Sequence, residues 1–355
     1  MAKIPFSEQE LTVLGEYGSV GTWYGYEYPA VQKLNTPITP AENFRRFMAG
    51  DDYEWVPDLC SDMIEITPEC NPDVDASDFK GGYDVFGVKW IPVPDAHMPS
   101  FVEPGFVVLK DINRWESLPW PDVDSWGWEQ LAEKYNAGYA GDNRIKRGVI
   151  LSGYFERLIS IMGFEEAAIA MIEEPDAVSA FFERLTDLNM RILDHLINDF
   201  GCETIKMHDD WSSQKAPFYS LDTCREVIVP HFRRLVAYAH GRGVSFTHHS
   251  CGNGVGLIPA MQDIGSDAWN AQYTAIDLCA ALEKAQAHPI LEISYDLPAA
   301  LKGVELYEAI YGVMSSYCRG RKCLIKFSDP EPDRAFESRR LIYKAGRMIA
   351  LEENR

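Results

Sequence analysis

Basic residues are scarce in this sequence, and long apolar runs are missing from it. The 33 Lys and Arg stand against 54 Asp and Glu, which gives a formal net charge of −21 with neutral histidine. Such a charge repels a phosphate backbone, so we expect no nucleic-acid partner. No run approaches the ~20 apolar residues that span a bilayer. The N-terminal segment shows no apolar stretch ending in a small-residue cleavage site, so we expect no membrane association.

Cysteine is present but forms no framework. The eight cysteines are scattered, at positions 60, 70, 202, 224, 251, 279, 318 and 323. Dense, regular spacing would indicate disulfides in a secreted protein, whereas scattered cysteines in a large chain are typical of reduced thiols. We therefore expect a cytoplasmic protein.

Short apolar segments alternate with longer amphipathic ones after residue 145. The strand candidates are 148–153, 204–208, 244–248, 267–271, 290–294 and 323–327. Helix candidates between them include 174–200 and 221–242. This alternation favours a parallel sheet, and six strands with room for two more upstream predict a (β/α)8 TIM barrel. A doubly wound open sheet is the alternative, although no Gly-rich phosphate loop follows the first strand.

The first 145 residues are rich in Trp, Tyr, Pro and Asp and lack this rhythm. A helix is predicted over 39–49, with Thr39 as its N-cap, and a hairpin over 82–92. We interpret residues 1–145 as an N-terminal elaboration plus the first barrel elements, and 146–350 as the main barrel. The whole chain, 1–355, is then a single domain.

Polar and ionisable residues follow the predicted strands, where a barrel of this kind carries its active site. They are His208, Asp209, Asp210 and Gln214; His249 and Cys251; Asn270 and Gln272; Tyr295; and Ser328 and Asp329. Carboxylates, imidazoles and a thiol therefore converge on one rim.

The His249-x-Cys251 pair carries the most chemical information. Residues two apart on a strand point the same way, so a nitrogen and a sulfur could grip one metal ion. Zinc suits that ligand pair, and a site with one open position would be catalytic. Two ligands alone do not make a site, so a rim histidine beside a small buried thiol remains the alternative at this point.

Around this pair the chain resembles the uroporphyrinogen decarboxylase superfamily. The resemblance is carried by HDDWSSQKAPFYSLDTCREVIVPHFRRLVAYAHGRG from His208, by HHSCG from His248 and by IPAMQDIGSDAWNAQ from Ile258. FERLISIMGFEEAAIAMIEEPDAV and FGVKW upstream fit the same pattern. True decarboxylases of this superfamily carry an Arg-Gln-Ala-Gly-Arg signature. Here Phe44-Arg45-Arg46-Phe47 is followed by Met48-Ala49-Gly50, which argues against porphyrinogen decarboxylation.

The resemblance points instead to the branch of corrinoid-linked methyltransferases, which pass methyl groups between a corrinoid protein and a thiol such as coenzyme M. It implies zinc held by His249, by Cys251 and by a third ligand after the last strand, which is a cysteine in that family. Cys323 begins that strand, roughly 16 Å from its end at ~3.3 Å per residue. We therefore expect Asp329 as the third ligand, with Ser328, Cys323, His208 and Asp210 left as alternatives.

The sequence thus predicts a zinc-dependent methyltransferase that works with cobalamin carried by a corrinoid protein. Its small-molecule partner would be a methyl donor or a thiol acceptor, and superfamily analogy suggests a homodimer. Catalytic roles are expected for Asp210 and His208. Substrate-binding roles are expected for a wider set: Asp209, Gln214, Asn270, Gln272 and Tyr295. A metal-free decarboxylase or lyase, or a non-catalytic corrinoid- or tetrapyrrole-binding barrel, are the alternatives.

Overall fold

A computed structural model describes residues 4–18, 22, 23, 26, 27, 31–77, 81–93 and 98–353. The strands within these residues are β1 (Val13–Glu16), β2 (Thr22–Trp23), β3 (Tyr26–Glu27), β4 (Gln32–Leu34), β5 (Met63–Ile66), β6 (Gly82–Tyr83), β7 (Lys89–Val93), β8 (Met98–Val102), β9 (Ile145–Ile150), β10 (Thr204–His208), β11 (Ser245–Ser250), β12 (Ala268–Ala271), β13 (Ile290–Asp296) and β14 (Cys323–Ser328).

The α-helices are α1 (Pro40–Ala49), α2 (Pro72–Ser77), α3 (Trp128–Gly138), α4 (Tyr154–Met162), α5 (Phe164–Glu173), α6 (Pro175–Asn198), α7 (Leu221–Val227), α8 (Val229–His240), α9 (Ile258–Ile264), α10 (Leu278–Ala285), α11 (Gly303–Tyr317) and α12 (Ala335–Glu352). None of the helices in the described ranges is long and apolar enough to cross a membrane.

Seven parallel strands form the central sheet, in the order β14-β13-β12-β11-β10-β9-β5. All six strands predicted from the apolar pattern are present, with ends displaced by at most three residues. Helices alternate with the strands along the chain, so the mixed α/β class is confirmed. The seventh strand, β5, lies upstream of the others in sequence, in the region left open for further strands.

The sheet is curled into a half-barrel. Arg147 of β9 contacts Glu292 of β13 at 2.6 and 2.8 Å, although three strands lie between β9 and β13. In a flat sheet, four strand spacings would hold these residues roughly 19 Å apart, beyond the reach of their side chains. Beyond β14, the main chain of Asp58 forms a parallel bridge with Ile325. The arrangement is compatible with a (β/α)8 barrel.

The helix predicted over 221–242 is two helices, which corrects the sequence interpretation. α7 ends at Val227 and α8 begins at Val229, with Pro230 in the first turn of α8. Proline has no N–H to donate to the preceding turn and its ring crowds that turn, so the helical ladder is interrupted there. The prediction for α1 is confirmed: the Thr39 side chain accepts a hydrogen bond from the Glu42 N–H at 3.2 Å.

The predicted hairpin is present as β6 and β7, and β8 extends it to a three-stranded antiparallel sheet. Arg157 of α4 connects this region to the half-barrel, because its buried guanidinium binds Asp73 at 2.5 Å and Asp84 at 2.7 Å. The division of the chain at residue 145 stays a prediction.

Candidate metal centre

Asp210, His249 and Cys251 are brought together at the carboxyl ends of two neighbouring strands. One ligand atom from each lies within 4.8 Å of the other two. The Cys251 Sγ is 3.4 Å from His249 Nε2, and Asp210 Oδ1 is 3.8 Å from the same nitrogen. A tetrahedral zinc ion with ordinary bond lengths would separate S from N by about 3.6 Å and N from O by about 3.4 Å. The two distances to His249 Nε2 are therefore compatible with a shared zinc ion.

The topology of the sheet explains this convergence. β10 and β11 are parallel neighbours, with His208 opposite His249 in register. Asp210 follows the end of β10 by two residues, and Cys251 follows β11 directly. Both loops therefore leave the same edge of the sheet side by side.

Hydrogen bonds clamp the two loops together. The Asp210 carboxylate accepts from the Cys251 N–H at 2.6 Å, and the Ser250 hydroxyl accepts from the Trp211 N–H at 2.9 Å. Gly252 follows Cys251 in the second loop and has a left-handed φ of 76°. A β-carbon on it would lie 2.3 Å from the carbonyl oxygen of Ser212 and 2.4 Å from that of Ser213. Only glycine lets the loops approach this closely.

Replacing Gly252 by alanine should therefore open the site. We expect a loss of stability beyond the about 1–3 kcal/mol of a strained backbone, together with weaker zinc binding, measured by thermal unfolding and by metal titration. Gly243→Ala is the matched control, since Gly243 has a φ of 73° but no atom within 4 Å of its β-carbon position. Equal losses in the two variants would show that the close approach has no role.

Asn270 of β12 orients the histidine. Its side-chain oxygen lies 2.7 Å from His249 Nδ1. An amide oxygen can only accept, so Nδ1 carries the proton and Nε2 presents its lone pair toward Cys251. Metal-binding histidines are commonly held in this way.

The electrostatic surroundings favour neutral imidazoles and a protonated thiol when no cation is bound. Burial lowers the pKa of His249, and it lowers the pKa of His208 well below its ordinary value, with a further contribution from His249. The two rings lie 4.2 Å apart. Burial, followed by the Asp210 carboxylate, raises the pKa of Cys251 to about 12. A metal ion is what would make this sulfur a thiolate at neutral pH.

The structure does not bring Asp329, the expected third ligand, to His249 and Cys251. Its carboxylate binds Arg334 at 2.7 Å and also accepts from the Ser338 hydroxyl. Although partial burial opposes the change, Arg334 and then Ser338 hold its pKa below the ordinary value. Asp210, one of the alternatives, occupies the third position instead. Cys323 is fully buried at the start of β14, as the strand-length argument required.

Two of the predicted substrate residues are adjacent to the metal loops. The Gln272 side-chain oxygen accepts from the Gly252 N–H at 2.9 Å and from the Gln214 amide at 2.7 Å. Their contact with substrate stays a prediction.

Asp209 and Tyr295 are placed differently. Asp209 is fully buried, and its carboxylate accepts from the Trp211 indole at 2.8 Å and from the Glu156 N–H at 3.0 Å. These hydrogen bonds hold the loop in place, and contact of Asp209 with substrate stays a prediction. Tyr295 is half-buried against Phe327.

Glu156, at the start of α4, is a site residue that the sequence analysis missed. Burial raises its pKa well above the ordinary value, with repulsion from Asp210 and Asp209 adding to the effect. The sequence could have indicated this residue, because Glu156 comes soon after the end of β9 and that strand end lies on the same rim.

A cavity of about 530 Å³ lies within the half-barrel and reaches the metal centre. His208, His249 and Asn270 line one part of it, and charged residues of β5, β9, β10, β13 and β14 line another. Its volume is within the roughly 300–1,000 Å³ of small-molecule sites.

Fold and site together define a barrel-type α/β protein with a candidate metal centre at the carboxyl ends of its strands. Residues 83–291, more than half of the chain, match the family described as uroporphyrinogen decarboxylase (URO-D). The chain therefore belongs to the uroporphyrinogen decarboxylase family, as its sequence resemblance predicted.

Among solved structures, the chain is similar to a methyltransferase from Methanosarcina mazei, with a TM-score of 0.55 and 13% sequence identity. The match covers 87% of this chain and 98% of that one. At this identity the likeness establishes a shared fold. An endo-β-1,4-xylanase from Gloeophyllum trabeum matches with a TM-score of 0.37 and 10% identity, over 62% of this chain and 80% of that one, which is too distant to support an argument. No curated protein sequence matches the chain.

Proposed function

We propose that this protein is a zinc-dependent methyltransferase that moves a methyl group between a small molecule and a corrinoid protein. The observation that carries the proposal is the cluster of Asp210, His249 and Cys251, whose N, O and S atoms lie within 4.8 Å of one another. Three protein ligands with a fourth position left for substrate are the usual pattern of catalytic zinc. The fold shared with the Methanosarcina mazei methyltransferase adds support.

In this proposal His249, Cys251 and Asp210 would hold the zinc. When bound, it would supply Lewis acidity to a thiol acceptor or to the leaving group of a methyl donor. Asn270 keeps His249 in the tautomer that presents Nε2. Asp210 has a second task, because its hydrogen bond to the Cys251 main chain fixes the sulfur relative to the imidazole.

The remaining residues would shape the substrate site. His208, neutral beside His249, lines the cavity and would contact the substrate or transfer a proton at its ring. Gln214 and Gln272 would position the substrate from the rim. The corrinoid cofactor would arrive on a partner protein that docks over the open carboxyl edge of the strands. We further propose that the half-barrel is closed as a (β/α)8 barrel, with residues 1–145 as its elaboration, and that the chain forms a homodimer.

Decarboxylation without metal is the second candidate, because the matching family is described by that activity. It would place the acid–base chemistry on Asp210 and would leave activity intact after metal removal. The lack of the arginine-containing decarboxylase signature favours methyl transfer.

The test is a methyl-transfer assay with methylcobalamin as donor and 2-mercaptoethanesulfonate as acceptor, followed through the visible spectrum of the corrinoid. We expect demethylation that stops after treatment with a chelator and returns when zinc is added. Transfer that is indifferent to chelation would contradict the zinc mechanism, and release of CO2 from a carboxylated tetrapyrrole without metal would favour the second candidate.

A further inference from the structure

Five charged side chains face one another inside the half-barrel. Arg147 and Glu292 form one ion pair at 2.6 Å, and Lys206 and Glu65 form a second at 2.5 Å. Lys326 of β14 is the fifth, and it lines the same cavity. Three cations and two carboxylates leave the group with one excess positive charge, in a chain whose net charge is −21.

Lys326 is the cation that remains without a counter-ion. Among the described residues no carboxylate forms an ion pair with it, whereas both neighbouring cations are paired. Its side chain is exposed to the cavity, and so is that of Ser294, its partner in register on β13. Burial alone would raise the pKa of Glu65. The positive charges of Lys206, then Lys326 and Arg147, outweigh burial and hold that pKa at about 2. The three cations together therefore stabilise the ionised form of Glu65.

A cation that lines a cavity and has no counter-ion there attracts an anionic ligand into it. Four carboxylates line the cavity, and each already has a partner. Glu292 binds Arg147, Glu65 binds Lys206, Asp329 binds Arg334, and Asp58 accepts from the Ser61 hydroxyl. The Cys60 thiol, which also lines the cavity, stays neutral because burial raises its pKa to about 11. A bound molecule with an anionic group would supply the negative charge that the protein does not place beside Lys326.

We infer that Lys326 binds an anionic group, a carboxylate or a sulfonate, of the small molecule that occupies the cavity, and that Ser294 assists with its hydroxyl. The same cavity is lined by His249 of the metal centre, so one molecule can meet both ends. This inference rests on the proposed function only for the identity of the molecule, as either methyl donor or thiol acceptor. The shared chemistry is that of a small organic anion.

The test is calorimetric titration of the whole protein with matched pairs of anionic and neutral molecules. For the donor the pair is 3-methoxybenzoate and 3-methoxybenzamide, and for the acceptor it is 2-mercaptoethanesulfonate and 2-mercaptoethanol. We expect one anion to bind at least about tenfold more tightly than its neutral partner. Lys326→Met should abolish that preference and leave the neutral molecule unaffected. Whichever pair shows the preference identifies the source of the anion.

Lys322→Met is the matched control, because Lys322 is an exposed lysine just before β14 that does not line the cavity. It should keep the preference for the anion. The inference is overturned if neither anion binds more tightly than its neutral partner, or if Lys326→Met keeps the preference. Repeating the titrations after metal removal separates the two proposals, since an anion preference that survives without zinc supports the Lys326 site whether or not zinc catalyses methyl transfer.

Discussion

His249→Ala and Cys251→Ala should each remove most of the zinc from the purified protein and, with it, the methyl-transfer activity. The wild type should carry about one zinc per chain. Each substitution deletes one of three protein ligands, and the two that remain cannot close the coordination sphere. Asp210→Asn should have a smaller effect, because an amide oxygen can still accept from the Cys251 N–H while binding the metal less well. Metal content by plasma mass spectrometry measures all three.

The controls remove the same chemical groups elsewhere on the chain. Cys279 is exposed, and His240 pairs with Asp267 at the amino end of β12, away from the carboxyl ends of the strands. Cys279→Ala and His240→Gln should retain full zinc content. If His249→Ala keeps as much zinc as these controls and folds normally, the metal lies elsewhere and the proposed centre is wrong.

Arg147→Met should destabilise the protein by about 3–5 kcal/mol, because it leaves the Glu292 carboxylate buried without its partner. Arg147 is 2% exposed and Glu292 0%, and two hydrogen bonds join them across the interior. The remaining acceptor contact, from the Thr247 hydroxyl at 3.2 Å, cannot balance a full charge. The urea midpoint of unfolding measures the loss.

A second substitution distinguishes the loss of a charge partner from the loss of packing. Arg147→Met combined with Glu292→Gln removes both charges while keeping similar volumes, and it should recover much of the lost stability. If the double variant is as unstable as the sum of the single ones, the cross-barrel ion pair does not couple these strands.

The main sheet could be predicted because its strands are buried on both faces. Such strands appear in a sequence as short apolar runs separated by amphipathic helices. For β10 the predicted range, 204–208, agrees with the structure at both ends. The curl of the sheet depends on contacts between strands that are far apart in sequence, as with Arg147 and Glu292. No local pattern contains that information. The split between α7 and α8 was visible in principle, since Pro230 interrupts the helical segment.

At the site, the His249 and Cys251 pair followed from spacing, whereas the choice between Asp210 and Asp329 did not. Both residues follow strand ends, so distance along a strand could not separate them. In the structure Arg334 binds the Asp329 carboxylate, which keeps Asp329 away from the metal centre. The turn before α12 sets the position of Arg334. Lys206 in TIKMH and Lys326 in CLIKF did indicate that the interior of the sheet carries charge. A charge amid buried strand residues must face the inside of a curled sheet.

The zinc X-ray absorption spectrum of the wild-type protein tests the metal centre most directly. The coordination by Asp210, His249 and Cys251 predicts a single sulfur at about 2.3 Å, with nitrogen and oxygen neighbours at about 2.0–2.2 Å. A shell without sulfur, or one with two sulfurs, would contradict this set of ligands.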